Sequence, residues 1–285
     1  MPIADTKALV RNAADEGRAV GTFSVGNMEM ILGAIKAAEE LNTPIILQIA
    51  QARMKDSPLA LIGPMMMAAA KTAKVPVAVH LDHGLTLDIV QQALDLGFPS
   101  VMFDGSRYPL KQNMELTRQV VEMSRKKGAY IEAELGIVGK NEDGSENGRM
   151  EYTNPDIAQE FAQSTGIDLL AVAIGNAHGH YTAVPKLRFD ILEQIHRKVQ
   201  VPLVLHGGTG ITPEDFRTCI RYGIRKINIA TASFDALTQQ VEQCLALPQK
   251  HDYFSLSEAM VEGVYKNVKR HIQIFNNQLP LNEIE

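Results

Sequence analysis

The feature that most constrains the fold is a series of eight short apolar, β-branched runs, separated by segments in which apolar residues recur at helical spacing. Strands that are apolar throughout are typical of a parallel sheet covered on both faces, and eight such strands close into a barrel. The sequence therefore predicts a (β/α)8 TIM barrel. A doubly wound open sheet is the alternative, because strand order cannot be read from sequence. The predicted strands are 19–23, 44–49, 76–81, 100–103, 129–133, 168–174, 202–205 and 226–229.

Helices are predicted between the strands, the clearest over 28–38, 85–96, 110–123 and 189–199. Three proline-preceding polar residues, Ser57, Asn154 and Thr212, are typical N-caps followed by proline at the first helical position. Further helices over 5–16 and 255–275 lie outside the eight repeats. Because one barrel typically needs about 250 residues, we expect residues 1–285 to form a single domain.

Composition excludes several classes of function. The net charge is −5 with both signs interleaved, so no basic stripe is available for nucleic acid. No signal peptide pattern and no membrane-length apolar run are present, which predicts a cytoplasmic protein with no membrane partner. Two cysteines, Cys219 and Cys244, suit a reducing compartment, and we assign neither a role.

Histidines follow three of the predicted strands, at the rim where barrels of this kind place their active sites. His83 follows the third strand, His178 or His180 the sixth, and His206 the seventh; spacing alone does not choose between His178 and His180. Three neutral imidazoles can hold a tetrahedral zinc ion and leave one position open for substrate or water. The sequence therefore predicts a catalytic zinc site. His196, His251 and His271 fall on predicted helices or loops and are interpreted as structural.

Asp82 immediately precedes a predicted zinc ligand. Strand alternation would point it to the side opposite His83, where it could act on the substrate as an acid or base. The alternative is a carboxylate that orients a metal-bound histidine. The residues leave both interpretations open.

Two further segments indicate how a substrate would be held: one as a phosphate site and one as a lid. The glycine-rich stretch 207–210 lies just before a predicted helix at Pro213, and Asn228 and Thr231 follow the eighth strand; barrels commonly bind phosphate there. The long polar segment 136–149 follows the fifth strand and could be a lid that carries Glu142 over the substrate as a base. The alternative is a solvated loop.

With these residues placed, the chain resembles the class II fructose-bisphosphate and tagatose-bisphosphate aldolases over nearly its whole length. Five motifs occur in the family's order at similar spacing: HLDHG, EAELG, AVAIGNAHGHY, VPLVLHGGTGI and KINIAT. The resemblance implies reversible cleavage of a ketose phosphate to dihydroxyacetone phosphate and an aldehyde, through a zinc-stabilised enediolate. It also implies a homodimer or higher homo-oligomer.

The resemblance assigns roles residue by residue. It implies zinc ligands at His83, His178 and His206, which chooses His178 over His180, with Asp82 as the proton donor and acceptor and Glu142 as the loop base. Asp104 and Glu134 match polar residues around a second-shell or alternative metal position. The positions that match binding of the phosphate and, in part, of a monovalent cation (Na⁺ or K⁺) are Gly179, Gly207, Gly208, Thr209, Asn228 and Thr231.

The departures from the family concern the substrate. Ser24 and Ala50 stand where relatives commonly have asparagine and serine, and residues 251–254 replace an Asp-Pro-Arg motif whose arginine could bind a second phosphate. Ala230 fits the tagatose-type pattern. An atypical ketose 1-phosphate is therefore an alternative substrate to a 1,6-bisphosphate.

Rival functions remain. A metal-dependent hydrolase would also use three histidines and an aspartate, and a non-catalytic aldolase-like binding subunit would retain the barrel. A Schiff-base aldolase would need a lysine, and the best candidate, Lys226, is predicted to begin a strand and so to lie at the opposite face of the barrel.

Overall fold

The computed structural model describes residues 3–140, 150–181, 183, 185–248, 251–277 and 280. Eight parallel strands pair in sequence order, and β8 closes the sheet against β1. The predicted barrel is confirmed, and the open sheet is wrong. The strands are β1 Val20–Ser24, β2 Ile45–Ala50, β3 Val77–Gly84, β4 Ser100–Phe103, β5 Tyr130–Leu135, β6 Leu169–Val172, β7 Leu203–Leu205 and β8 Ile224–Ile229.

Helices surround the barrel and cover its apolar outer face. One helix precedes β1, a 3-10 turn over Gln51–Arg53 follows β2, and two helices follow β8. Among the described residues, no helix is both long and apolar enough to cross a membrane. The α-helices are α1 Thr6–Asp15, α2 Met28–Glu40, α3 Leu59–Thr72, α4 Leu87–Asp95, α5 Leu110–Lys127, α6 Pro155–Thr165, α7 Phe189–Lys198, α8 Pro213–Arg221, α9 Thr231–Leu245 and α10 Tyr253–Phe275.

Two of the three predicted helix caps are confirmed. The Asn154 side chain accepts hydrogen bonds from the backbone of α6, and the Thr212 hydroxyl accepts one from Asp215 N. Ser57 is not a cap, because its hydroxyl instead donates to the carbonyl of Gly26, 2.6 Å away, and α3 begins after Pro58 with no side-chain cap.

Helix α1 closes the amino-terminal end of the barrel interior. Leu9 and Ala13 pack against Val20, Ile46 and Ala78, which point inward from the first three strands. Val10 of the same helix packs against a second inward-facing set, Met102, Leu169, Ala171 and Val204. This end of the interior is therefore apolar, and polar groups are concentrated at the carboxyl end.

Candidate active site and metal centre

Three imidazoles meet at the carboxyl end of the barrel. His83 belongs to the end of β3, His178 lies in the segment after β6, and His206 directly follows β7. One ligand atom from each lies within 4.8 Å of the others, and all three residues are buried. The structure thus brings together the three residues predicted to bind zinc.

The outer nitrogens of two of these rings are hydrogen-bonded to carboxylates. His83 Nδ1 donates to Asp104 Oδ2 at 2.8 Å, and His206 Nε2 donates to Glu132 Oε1 at 2.8 Å. The inner nitrogens, His83 Nε2 and His206 Nδ1, are 2.7 Å apart. The second proton of a charged His83 sits on Nε2 and is donated to His206 Nδ1, and a metal ion bound by both nitrogens would take the place of that shared proton. The donor set therefore fits a metal ion.

The electrostatics of the rings agree with this interpretation. Burial lowers the pKa of His178 and of His206 well below the ordinary value, so both are neutral, which is the form that binds metal. Burial also lowers the pKa of His83, but Asp82 and Asp104 outweigh it, and the net pKa is raised well above the ordinary value. A metal ion at this ring must therefore displace a proton.

Neighbouring loops hold the ligand-bearing segments. His178 N donates to Gly139 O at 2.8 Å, and His178 Nδ1 donates to Lys140 O at 3.3 Å. The Asn176 amide donates to the carbonyl of His206 at 3.0 Å. The segment after β6 is thereby tied on one side to the segment after β5 and on the other to β7, which fixes the spacing of the imidazoles.

His180, the alternative to His178, lies apart from this group. Its side chain is 69% exposed, and its Nε2 is 3.4 Å from Asp235 Oδ2. It contributes to neither of the potential metal-binding groups in the described part of the chain. The geometry therefore favours His178.

Asp82 lies beside the imidazoles, held by two amides. Gln48 Nε2 donates to its Oδ2 and Asn228 Nδ2 to its Oδ1, each at 3.0 Å. Burial raises the pKa of Asp82, and His83 and Lys226 oppose that shift. A buried carboxyl whose proton affinity is raised in this way suits proton exchange with a bound hydroxyl.

The expectation that Asp82 and His83 point to opposite sides is wrong. His83 Nε2 lies 4.0 Å from Asp82 Oδ1, so both side chains face the site. His83 has a left-handed backbone (φ 40°), and the register of β3 against β4 shifts between Leu81 and Gly84. This irregularity lets two successive side chains face the same site.

A narrow cavity next to Asp82 is lined by all six residues predicted to bind phosphate. Gly207 has φ 65°, and a Cβ there would lie 2.2 Å from the carbonyl oxygen of Ala177, so only glycine fits. The Thr209 hydroxyl accepts a hydrogen bond from Ala232 N in the first turn of α9. The lining comprises Gln48, Asp82, His178, Gly179, His206, Gly207, Gly208, Thr209, Asn228, Ala230 and Thr231.

The helix that begins at this cavity differs from the expected one. Thr231, the first residue of α9, lines the cavity, whereas α8, which begins at Pro213, contributes no residue to that lining. The backbone N–H groups at the start of α9 are therefore the ones placed to meet an anion here.

Asp104 and Glu134 form a second possible metal-binding group with His83. Burial raises the pKa of Asp104, but hydrogen bonds from His83 and Ser106 outweigh it and hold the pKa below its ordinary value. Burial, and then the charge of Asp104, raises the pKa of Glu134 to about 8. The pair therefore holds one negative charge and one proton at neutral pH.

Glu142, the predicted loop base, lies outside the described residues.

The expectation that Lys226 begins a strand at the opposite face of the barrel is wrong. Lys226 is the third residue of β8, and its ammonium donates to Asn228 Oδ1 at 2.7 Å, directly beneath the site. It is fully buried and paired with Glu132 at 3.0 Å. This charged pairing argues against a Schiff-base nucleophile, which must be neutral and reach the substrate.

The residue that sequence reasoning missed most clearly is Gln48. It is a buried amide in the otherwise apolar strand β2, and it bonds both Asp82 and Ser24. A single polar residue within the apolar run IILQIA was the available signal. Glu132 was also missed: it is the first residue of the EAELG motif, in which only Glu134, two residues further on, was assigned a position near a metal.

Comparison with known proteins gives a consistent result. The family model described as "Fructose-bisphosphate aldolase class-II" matches residues 4–278. A fructose-bisphosphate aldolase of Staphylococcus aureus is 38% identical over 248 residues, 86% of this chain and 87% of that protein. The crystal structure of the YdjI aldolase from Escherichia coli superimposes with a TM-score of 0.86 at 34% identity, covering 96% and 97% of the two chains. A structure described as a putative fructose-1,6-bisphosphate aldolase from Coccidioides immitis gives a TM-score of 0.88 at 28% identity, covering 98% of each chain.

Proposed function

The chain belongs to the class II fructose-bisphosphate aldolase family and is therefore a lyase, and we propose that it uses zinc to cleave a ketose phosphate reversibly into dihydroxyacetone phosphate and an aldehyde. The observation that carries the proposal is the pair of facing ring nitrogens, His83 Nε2 and His206 Nδ1, 2.7 Å apart. Their outer nitrogens are hydrogen-bonded to carboxylates, so both inner nitrogens offer lone pairs to a metal ion once the proton they share is displaced. His178 would complete the ligand set.

Zinc held by His83, His178 and His206 would supply positive charge to stabilise the negative charge that develops on the substrate as the carbon–carbon bond breaks. Asp82 takes the proton from the hydroxyl at the bond being broken and returns it during condensation. Gln48 and Asn228 hold the two oxygens of that carboxylate, each at 3.0 Å. Glu142 is proposed as the base that removes the proton from the donor ketone during condensation, and Asp104 and Glu134 as the surroundings of an alternative metal position.

The phosphate is proposed to bind where glycine backbones and the start of α9 line the same cavity. Gly207 and Gly208 leave room for an anion to approach the backbone, and Thr231 begins the helix whose partial positive charge favours it. Gly179, Thr209 and Asn228 complete the lining, and a monovalent cation could share the site.

The substrate is proposed to be of the tagatose or fructose 1,6-bisphosphate type, with a ketose 1-phosphate as the alternative. The start of α10 presents Tyr253 and Phe254 to solvent, 67% and 70% exposed, in the segment that replaces the family's arginine-containing motif. A phosphate at the far end of the substrate would have to be bound by other groups. The protein is also proposed to act as a homo-oligomer.

The direct test is cleavage of fructose and tagatose 1,6-bisphosphates and of ketose 1-phosphates, with zinc and with a chelator, detecting dihydroxyacetone phosphate. We expect product that disappears with the chelator and returns with zinc. His206→Ala should lose zinc and activity together, whereas Asp82→Asn should keep zinc and lose cleavage. An active, metal-free His206→Ala protein would contradict the zinc assignment.

The loop base is tested separately by exchange of the donor proton. Glu142→Gln should retain zinc but slow hydrogen exchange between dihydroxyacetone phosphate and water. Glu146→Gln, a change of the same chemistry in the same segment, is the matched control. If the two variants exchange equally fast, Glu142 has no part in the proton transfer.

A further inference from the structure

A buried ion pair lies inside the barrel directly beneath the imidazoles. Lys226 Nζ is 3.0 Å from Glu132 Oε2, and both side chains are 0% exposed. Removing two charges from water is costly, and their mutual attraction compensates only when further hydrogen bonds satisfy both groups. The other contacts of this pair therefore indicate its purpose.

Each member of the pair also contacts a group of the proposed site. The second oxygen of Glu132 accepts the hydrogen bond from His206 Nε2 at 2.8 Å. The ammonium of Lys226 donates to Asn228 Oδ1 at 2.7 Å, and Asn228 Nδ2 in turn donates to Asp82 at 3.0 Å. The pair thus reaches a predicted metal ligand through its anion and the predicted proton-transfer carboxylate through its cation.

The chemistry of the pair fixes two orientations that the rings and amides alone leave open. A carboxylate only accepts hydrogen bonds, so His206 must carry its proton on Nε2 and direct the lone pair of Nδ1 toward His83. An ammonium only donates, so Asn228 must turn its carbonyl oxygen toward Lys226 and its NH₂ toward Asp82. Without Glu132, His206 loses the acceptor for its Nε2 proton, and without Lys226, Asn228 loses the donor to its Oδ1 and is oriented by Asp82 alone.

We propose that the Lys226–Glu132 pair is a positioning unit that selects the metal-binding tautomer of His206 and the amide orientation of Asn228. The proposal rests on the proposed zinc-dependent function. Neither residue acts on the substrate, because both side chains are fully buried below the site. The unit is electrically balanced, because it holds one carboxylate and one ammonium. The adjacent His80 adds no charge, since burial and then the charge of Lys226 lower its pKa and keep that ring neutral.

The test replaces both charges together. In Glu132→Leu/Lys226→Met, an apolar pair of similar volume takes the place of the ions, which is commonly neutral or favourable for folding. We expect the double variant to unfold near the wild-type temperature without metal. Its zinc dissociation constant should rise by about 10- to 100-fold, the usual effect of removing a group that orients a ligand. The kcat of the zinc-saturated variant should also fall.

Ser100→Ala is the matched control. Ser100 is another buried polar residue of the interior, and its hydroxyl is 2.8 Å from His80 Nδ1. Its removal should leave the zinc dissociation constant unchanged. If the double variant folds and binds zinc as tightly as the control, the pair is only structural and the inference is wrong, while the proposed function stands. If the wild-type protein itself binds no zinc, the proposed function fails instead.

A second measurement uses the wild-type protein and does not depend on any variant folding. Long-range ¹⁵N–¹H spectra of the histidine-labelled, metal-free protein distinguish the two neutral tautomers, and His206→Ala identifies the signal. We expect His206 to be protonated on Nε2. Protonation on Nδ1 would overturn the proposal.

Discussion

The two ends of the barrel interior are built from the same strands in opposite ways. At the amino-terminal end, Val20, Ile46 and Ala78 pack on α1 as an apolar plug. Two residues further along β2, Ile46 is followed by Gln48, and two residues further along β3, Ala78 is followed by His80. Side chains two residues apart on a strand share a face. A single change from an apolar to a polar residue along each strand therefore separates the apolar end, which stabilises the fold, from the polar end, which holds the site.

The difference shows where the fold can tolerate change. The apolar end depends on packing, so a truncation there costs the buried contacts it removes and the cavity it leaves. The polar end depends on partners, because each buried charge is stable only beside its counterpart. Changes there should therefore be strongly non-additive.

The largest effect expected is from breaking the ion pair on one side only. Lys226→Met leaves Glu132 buried without a cation and should lower the free energy of unfolding by about 3–5 kcal/mol. Glu132→Leu/Lys226→Met should recover most of that loss, which urea unfolding of the metal-free proteins would measure.

The control for this comparison is Lys74→Met, whose lysine side chain is 86% exposed. It should change the free energy of unfolding by less than about 0.5 kcal/mol. If Lys226→Met were no more costly than this control, the polar end would not depend on charge pairing.

A smaller effect is expected at the apolar end. Ile46→Ala should cost about 3 kcal/mol, because Ile46 is fully buried against the plug and the cavity left behind cannot collapse completely. Its zinc affinity should be unchanged, since Ile46 contacts no group of the site. Unfolding with urea and zinc titration of the same preparation measure both quantities.

Gln48→Met, two residues further along the same strand, is the matching change at the polar end. It removes the hydrogen bonds to Ser24 and Asp82 but keeps a side chain of similar volume. We expect it to lose cleavage activity with a stability change of about 1 kcal/mol. Stability effects of equal size at the two positions would contradict the division between the two ends.

Sequence reasoning found the barrel because eight apolar runs impose one architecture, and it found the three histidines because they follow strand ends. It did not find how those residues are oriented. The left-handed backbone of His83 and the depth of Lys226 within β8 depend on strand register, which periodicity does not encode. The roles of Glu132 and Lys226 depend on partners on other strands, and the local signal at Gln48, one polar residue within an apolar run, does not identify its partners.

His271 is a buried histidine outside both ends of the interior. Its effect on the pH dependence of stability can be compared with that of the polar end. It lies in α10 between Phe216 and Phe275, and its Nδ1 donates to the carbonyl of Asn267 at 2.8 Å. Burial lowers its pKa to about 4. As the sequence predicted for a histidine on a helix, it belongs to neither potential metal-binding group of the described residues.

The sign of its effect follows from that shift. Because the folded pKa lies below the unfolded value of about 6.5, the unfolded chain takes up the proton first as the pH falls. The stabilisation from neutral His271 is fully present above pH ~6.5 and is lost progressively toward pH ~4. By pH 5 the loss amounts to about 2 kcal/mol of the free energy of unfolding.

His271→Gln cannot titrate, so the metal-free variant should lose correspondingly less stability than the wild type between pH 8 and pH 5. His180→Gln, at a side chain that is 69% exposed, should remove little of that loss. If His271→Gln keeps the wild-type slope, the acid sensitivity belongs to the imidazoles and carboxylates of the polar end, and that end is the weaker of the two in acid.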